Sequence, residues 1–281
     1  MTQDPNPIFL ADGDDPEMNR AFERARSTFR YFWRELSWEY RRIVPGLNIA
    51  SVKVAFWDGD SPTPPPAPDD GSLSVEHMWL GDVGFDGRAI TGTLLNQPSW
   101  LKSVQSGDGV EVPFARVEDW MYARNGRVYG GYTVNLMRSR MGKGERRAHD
   151  EAWGLDFGDP ETIELVPDWN AKPKKGFIAR MLGGGKPVDA APPADPDAEH
   201  PMSENMAEKL VETIASHPSI LTDTDPHGLT TLHQLALAGS EAGVRILVAK
   251  GADRDARTPD GRTARDLAEA MGWPRVVAVL S

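Results

Sequence analysis

Residues 225–257 read DPHGLTTLHQLALAGSEAGVRILVAKGADRDAR, and residues 258–281 read TPDGRTARDLAEAMGWPRVVAVLS. Laid over each other, the two segments repeat. Gly228 and Gly261, Thr230 and Thr263, Leu235 and Ala268, and Val244 and Val277 are each 33 residues apart. In each copy a turn leads to a threonine that can cap a short helix. In the first copy Leu232, Leu235 and Ala236 fall on one face of that helix, and Val244, Leu247 and Val248 on one face of the next. Gly251 suits the left-handed residue that follows a helix end.

The first copy carries Gly-x-Thr-x-Leu-His at Gly228–His233, then Ala236, then Val244-x-Ile246-Leu247-x-x-x-Gly251-Ala252-Asp253. This closely resembles the ankyrin consensus, and 33 residues is the ankyrin period. The second copy keeps Gly261, Thr263 and Ala264 but has Arg265-Asp266 where the first has Leu232-His233. Its Asp266-Leu267-Ala268 resembles a terminal ankyrin repeat. Upstream, Met206, Leu210, Ile214 and Leu221 give a helical stripe broken near His217-Pro218, which reads as an incomplete first repeat. An array of about two and a half units falls short of the three or so that stabilise a stack. It is therefore expected to lean on the rest of the chain or on a partner. His233 is read as structural, its imidazole bonding neighbouring loop backbone. The contact points expected for a protein partner are the variable turn tips, Asp225, His227, Arg254, Asp255, Arg257 and Asp260, because repeat arrays bind through such tips and the adjacent surface.

Working back towards the N-terminus, residues 183–201 read GGGKPVDAAPPADPDAEHP, a linker composition with almost nothing to bury. Eight of the nine tryptophans precede it, and only Trp273 follows. This shift places a domain over residues 1–182, a linker over 183–202 and the repeats over 203–281. Charge does not separate the parts: residues 1–185 hold 22 basic and 27 acidic side chains, and residues 186–281 hold 9 and 15. The net charge of −11 disfavours nucleic acid or an anionic membrane as the main partner. The absence of cysteine excludes disulfides, thiolate metal sites and a cysteine nucleophile. The opening MTQDPNPIFLADGDD lacks the basic and apolar regions of a signal peptide, and no apolar run approaches the length of a spanning helix. A cytoplasmic protein is expected.

The first part begins with Asp15-Pro16-Glu17, a helix start with an acidic cap and proline in the first turn. Met18, Phe22, Ala25, Phe29, Phe32 and Leu36 follow at helical spacing, with Arg20, Arg24, Arg26, Arg30 and Arg34 on the other faces, read as a solvated surface. After Pro45-Gly46 the period changes to two, and Ala50, Val52, Val54 and Phe56 mark a strand. Residues 58–74 form a Pro-rich loop. Val75–Phe85 and Arg88–Leu95 are strands joined by Asp86-Gly87, and Asp119–Ala123 and Arg127–Val134 are strands joined by Asn125-Gly126. Gly130-Gly131 points to a bulge or a close backbone approach. Hairpin connections predict an antiparallel sheet, and with the long helix an α+β domain, followed by an all-α repeat stack.

Gly107-Asp108-Gly109-Val110-Glu111-Val112-Pro113, then Val117-Glu118-Asp119-Trp120-Met121-Tyr122, then Gly130-Gly131-Tyr132-Thr133 resemble the YegJ-like family of uncharacterised bacterial domains. So do Glu76-His77-Met78-Trp79-Leu80 and Gly92-Thr93-Leu94-Leu95-Asn96. The resemblance covers residues 9–157. It implies a small α+β domain, sometimes fused to ankyrin-like repeats, and supplies no catalytic residues.

No His-Glu-x-x-His, Gly-x-Ser-x-Gly or Gly-x-Gly-x-x-Gly motif is present. Gly183–Lys186 lacks the spacing and the Ser/Thr of a phosphate loop. His149-Asp150-Glu151 reads as a polar stretch, because adjacent helical residues diverge. No metal or cofactor is expected. The aromatic set Trp79, Trp120, Tyr122 and Tyr132 has two readings, a domain core or an exposed patch for a protein partner. The leading expectation is a non-enzymatic interaction protein, with an immunity or antitoxin-type role within that class. The alternative is an enzyme of unknown reaction with its site around His77, Trp79, Asp119, Trp120 and Tyr132. A third reading, nucleic-acid binding, rests on the basic residues between 138 and 180, whose field is weakened by interleaved acids.

Overall fold

In the computed structural model, residues 15–59, 61, 63–65, 74–169 and 195–281 are described. The fragment Gly183–Lys186, the basic residues Lys172, Lys174, Lys175 and Arg180, and most of the linker and of the Pro-rich loop lie outside them. The chain divides into two compact units. The first takes residues up to Phe29 together with Gly46–Ile163, and the second takes Arg30–Pro45 with Glu164–Ser281.

Helix α1 (Pro16–Glu39) starts where Asp15 accepts the Glu17 amide at 2.9 Å. Its first half belongs to the first unit and its second half to the second. A linear reading that separates a domain from a repeat array at residue 183 does not see this division.

The first unit is built on an antiparallel sheet of β1 (Leu47–Phe56), β2 (Glu76–Phe85), β3 (Ala89–Leu94), β4 (Gly109–Pro113), β5 (Val117–Arg124) and β6 (Arg127–Gly130), in the order β4-β3-β2-β1-β5-β6. Every neighbouring pair is antiparallel, as the hairpin turns predict. Strand β5 lies between β1 and β6 and is buried along nearly its whole length. The indole of Trp120 donates to the Ala25 carbonyl of α1 at 2.9 Å, while Met121 and Ala123 pack with Val128 and Phe157. The register of β1 against β5 shifts between Lys53 and Val54, which pair with Asp119 and Val117, so Glu118 is the extra residue of a bulge.

The strand expected over Arg127–Val134 stops at Gly130. Gly130 and Gly131 both take positive φ, 75° and 70°, and Tyr132 opens helix α2 (Tyr132–Arg140) instead of continuing the strand. A side chain at Gly130 would collide with the carbonyl and ring of Trp120, so the glycine serves a close backbone approach. Helix α3 (Lys143–Trp153) follows and ends on Gly154 in the left-handed region.

The second unit holds α4 (Pro201–Asn205), α5 (Ala207–Ser216), α6 (Thr231–Leu237), α7 (Glu241–Ala249), α8 (Ala264–Met271) and α9 (Pro274–Leu280). Local geometry recurs with the sequence period. Thr230 and Thr263 are both N-caps with a reciprocal capping box, closed by His233 in one case and Asp266 in the other. Gly228 and Gly261 take φ of 78° and 85°, and Gly239 and Gly272 both take 72°. The core combines Leu232, Leu235, Ala236, Val244, Leu247, Ala268, Trp273 and Val276 with Tyr31 and Trp38 from α1.

The second half of α1 therefore does not present a solvated arginine face. Arg34 is 3% exposed, lies over the rings of Trp273 and Tyr31, and donates to the Ala198 carbonyl at 3.0 Å. Arg30 donates to the Gly272 carbonyl at 2.6 Å and lies over the same two rings. The aliphatic stems can cover apolar surface while the planar heads stack on aromatics, so periodicity alone misplaces them.

Candidate functional site

The first cluster of interest forms where β1, β2 and β5 meet α2. Asp119 is fully buried and accepts four bonds: from the amides of Trp120, Tyr132 and Thr133, each at 2.8 Å, and from the Thr133 hydroxyl at 2.6 Å. The N-cap of α2 is Gly131, which has no side chain, so Asp119 supplies the missing capping carboxylate from a neighbouring strand. The Lys53 ammonium reaches the same Thr133 hydroxyl at 3.3 Å. Burial pushes the Asp119 carboxyl above its ordinary value, opposed by the Thr133 hydroxyl and by Lys53. Burial pushes the Lys53 ammonium down, opposed by Asp119 and Glu118. This set holds together the start of a helix, and its polar atoms are spent on one another.

Beside it, His77 Nδ1 contacts Glu118 Oε2 at 2.5 Å, and the imidazole stacks on Phe22 of α1. The His77 side chain keeps 24% of its surface exposed. Trp79 is partly buried, with the Lys53 ammonium over its ring at 5.8 Å.

Trp120 and Tyr122 are fully buried and Tyr132 is 4% exposed. These three rings stack or meet edge-on within the core, at centroid distances of 6.2 Å and 6.0 Å. Of the two readings of these rings, the exposed patch is corrected for Trp120, Tyr122 and Tyr132: their burial between the sheet and α1 places them in the core. Of the four aromatic residues only Trp79 retains surface.

The basic residues of α2 and α3 are largely engaged. Arg138 is buried and makes a two-pronged bond to Asp150 at 2.8 and 2.6 Å, with further bonds to Asn135 and the Gly158 carbonyl. Arg140 pairs with Asp15 and Glu17, and Arg147 with Glu151. His149 contacts Asp150, and among the described residues no group of three or more His, Cys, Asp or Glu side chains is arranged to hold a metal ion.

In the second unit the turn tips lie at the surface. His227, Arg254, Asp255, Arg257 and Asp260 are exposed and Asp225 is partly so. Several are committed to the turns themselves. Asp225 accepts the amides of His227 and Leu229 at 2.9 Å and the Gln234 side chain at 3.0 Å. Arg254 donates to the Ser281 carbonyl at 3.0 Å and Arg257 to that of Gly261 at 2.6 Å. Asp260 pairs with Arg262 at 2.7 Å. The His227 ring and the Asp255 carboxylate form no hydrogen bond among the described residues, and that leaves them free to contact another molecule. His233, by contrast, is fully buried and structural. Its Nδ1 accepts the Thr230 amide at 3.2 Å, so Nε2 carries the proton and donates to the Ala256 carbonyl at 3.0 Å. Burial pushes its imidazole below the ordinary value.

The sheet, the long helix and the C-terminal helices define a mixed α+β chain whose last part is made of short capped helices. The model described as "Uncharacterized protein conserved in bacteria (DUF2314)" matches residues 15–157, about half of the chain, and the chain belongs to that family. Over 274 residues, 97% of this chain and 96% of the relative, it is 39% identical to a Neisseria meningitidis serogroup B protein named "Putative ankyrin repeat protein NMB1133/NMB1171". Over 61 residues, 22% of this chain and 40% of the relative, it is 34% identical to "Uncharacterized protein YegJ" of Escherichia coli K12. Among the described residues no helix is long and apolar enough to cross a membrane.

Proposed function

We propose that this chain is a non-catalytic cytoplasmic protein that binds a protein partner through ankyrin-type repeats in its C-terminal helices. The observation that carries the reading is the 33-residue recurrence of Gly228/Gly261 and Thr230/Thr263, which sets two turns side by side with their tips exposed. A side chain at Gly228 would touch the Pro259 ring, so the two turns are neighbours. The ankyrin repeat in the name of the Neisseria relative supports the same reading. His227 and Asp255 are the tip residues with unspent polar atoms, and Asp225, Arg254, Arg257 and Asp260 shape the turns that present them. The acidic surface, net charge −11, favours a basic partner by complementarity, and blocking a basic effector in an immunity or antitoxin role fits that chemistry.

The test is affinity capture from the native host with the full chain and with a variant carrying His227→Ala and Asp255→Ala. Both side chains are exposed and form no hydrogen bond among the described residues, so stability should change by less than about 0.5 kcal/mol. Loss of a captured protein from the variant supports the reading. Identical capture by both chains overturns the assignment of the tips.

A second reading rests on the His77–Glu118 contact at 2.5 Å. A carboxylate-held imidazole whose other nitrogen forms no hydrogen bond among the described residues is the arrangement of a general base. An activity of the full chain lost in His77→Gln with unchanged unfolding would favour it.

A further inference from the structure

His200 sits at the point where α4 begins and where the second half of α1 meets the C-terminal helices. It is 2% exposed, and Glu35 of α1 is also 2% exposed. The imidazole is engaged on every side. The Met202 amide donates to Nδ1 at 3.1 Å, which makes His200 the N-cap of α4. An Nδ1 that accepts a hydrogen bond has no proton, so the proton is on Nε2, which donates to Glu35 Oε2 at 3.1 Å. The ring stacks on Trp38 of α1 at 5.8 Å and meets Trp169 edge-on at 4.5 Å. The same carboxylate of Glu35 lies 3.6 Å from Arg42.

From this arrangement we propose that His200 is an acid-sensitive latch holding residues 30–42 of the chain against the C-terminal helices. The neutral ring satisfies two partners of opposite kind, an amide donor and a carboxylate acceptor. A second proton must go to Nδ1, the only ring nitrogen with a lone pair. It turns that acceptor into a donor facing the Met202 amide, and the cap of α4 is lost.

The charged groups around the ring are few and can be weighed. Glu35 favours the added charge, whereas Arg34 and Arg42 oppose it, and Glu199 on the same loop is occupied with the amides of Glu241 and Ala242. Burial, the largest influence, keeps the imidazole below its ordinary value of 6.5. A depressed histidine contributes stability above its unfolded value and loses it as the pH falls through the folded value, so the latch is closed at neutral pH and opens on acidification.

The test is hydrogen exchange of the full chain at a series of pH values between about 7.5 and about 4, corrected for intrinsic exchange. Segments 30–42 and 200–206 should lose protection by up to about tenfold per pH unit as the pH falls from the ordinary histidine value towards the folded one, the limit for one coupled proton. Strand β5 should keep its protection. In His200→Asn, whose side-chain oxygen can still cap α4, the pH response should vanish. In Glu35→Gln, which removes the carboxylate favouring the charged ring, the midpoint of the folded ring's titration, read as the pH where the loss levels off, should move to lower pH. Equal protection across the pH series, a response that persists in His200→Asn, or an unmoved midpoint in Glu35→Gln would overturn the proposal.

Discussion

Replacing Gly239 by alanine should be among the costliest single-methyl additions in the second unit. Gly239 has φ of 72°, a region that costs an L-residue about 1–2 kcal/mol. A Cβ there would also lie 2.5 Å from Cε2 and 2.6 Å from Cδ2 of Trp273. That ring cannot give way easily. It is 5% exposed, its indole donates to the Leu237 carbonyl at 3.2 Å, and Arg30 and Arg34 lie over it. Forcing a methyl into a packed site costs a further ~1–3 kcal/mol, for a total of about 2–5 kcal/mol. Gly251→Ala provides the control. Its φ is 93°, but nothing lies within 4 Å of the added carbon, so it bears only the backbone cost. The assay is native-state hydrogen exchange of amides in α6–α9, which reads this unit independently of the sheet. If Gly239→Ala falls within about 0.5 kcal/mol of Gly251→Ala, the pinned indole is refuted.

Asp119→Ala strands two α2 amides and removes a buried carboxylate that favours the Lys53 ammonium, and chemical denaturation should show a loss of about 3–5 kcal/mol. His233→Ala removes one half of a capping box and the bond to the Ala256 carbonyl, and should cost ~1–3 kcal/mol by hydrogen exchange in α6. Because burial also depresses His233, its contribution is present above the ordinary histidine value and is lost as the pH falls through the folded value. In a titration of thermal midpoint against pH, the wild type should therefore lose more stability on acidification than His233→Gln. A fragment of residues 195–281 lacks Tyr31 and Trp38, both core residues, and its circular dichroism should show less helix per residue than the same segment holds in the full chain.

The parts of this fold legible in the sequence are those where backbone geometry restricts residue choice. Asp86-Gly87 and Asn125-Gly126 announce hairpins because their turns need positive φ, and Asn125 and both glycines have it. The 33-residue period shows through because caps and left-handed turns tolerate few residues. Residues whose role depends on what arrives from elsewhere in the chain stayed hidden. Asp119 sits in a strand and caps a helix 13 residues away. Tyr132 looks like a late residue of the strand begun at Arg127, but two left-handed glycines turn the chain before it. In α1 the apolar stripe is continuous, and nothing in its spacing marks the change of core between Phe29 and Arg30. The tips are legible as turns, yet which of their polar atoms remain unspent is decided by hydrogen bonds such as Arg254 to Ser281, 27 residues apart.

The division of α1 between two cores bears on how such a chain is inherited. A repeat segment copied by recombination into another gene, cut anywhere in the Pro- and Gly-rich stretch after residue 182, would leave two of its own core rings behind in the donor. Tyr31 and Trp38 thus complete a core whose other members lie far downstream, and a segment that begins after residue 182 does not carry that core whole.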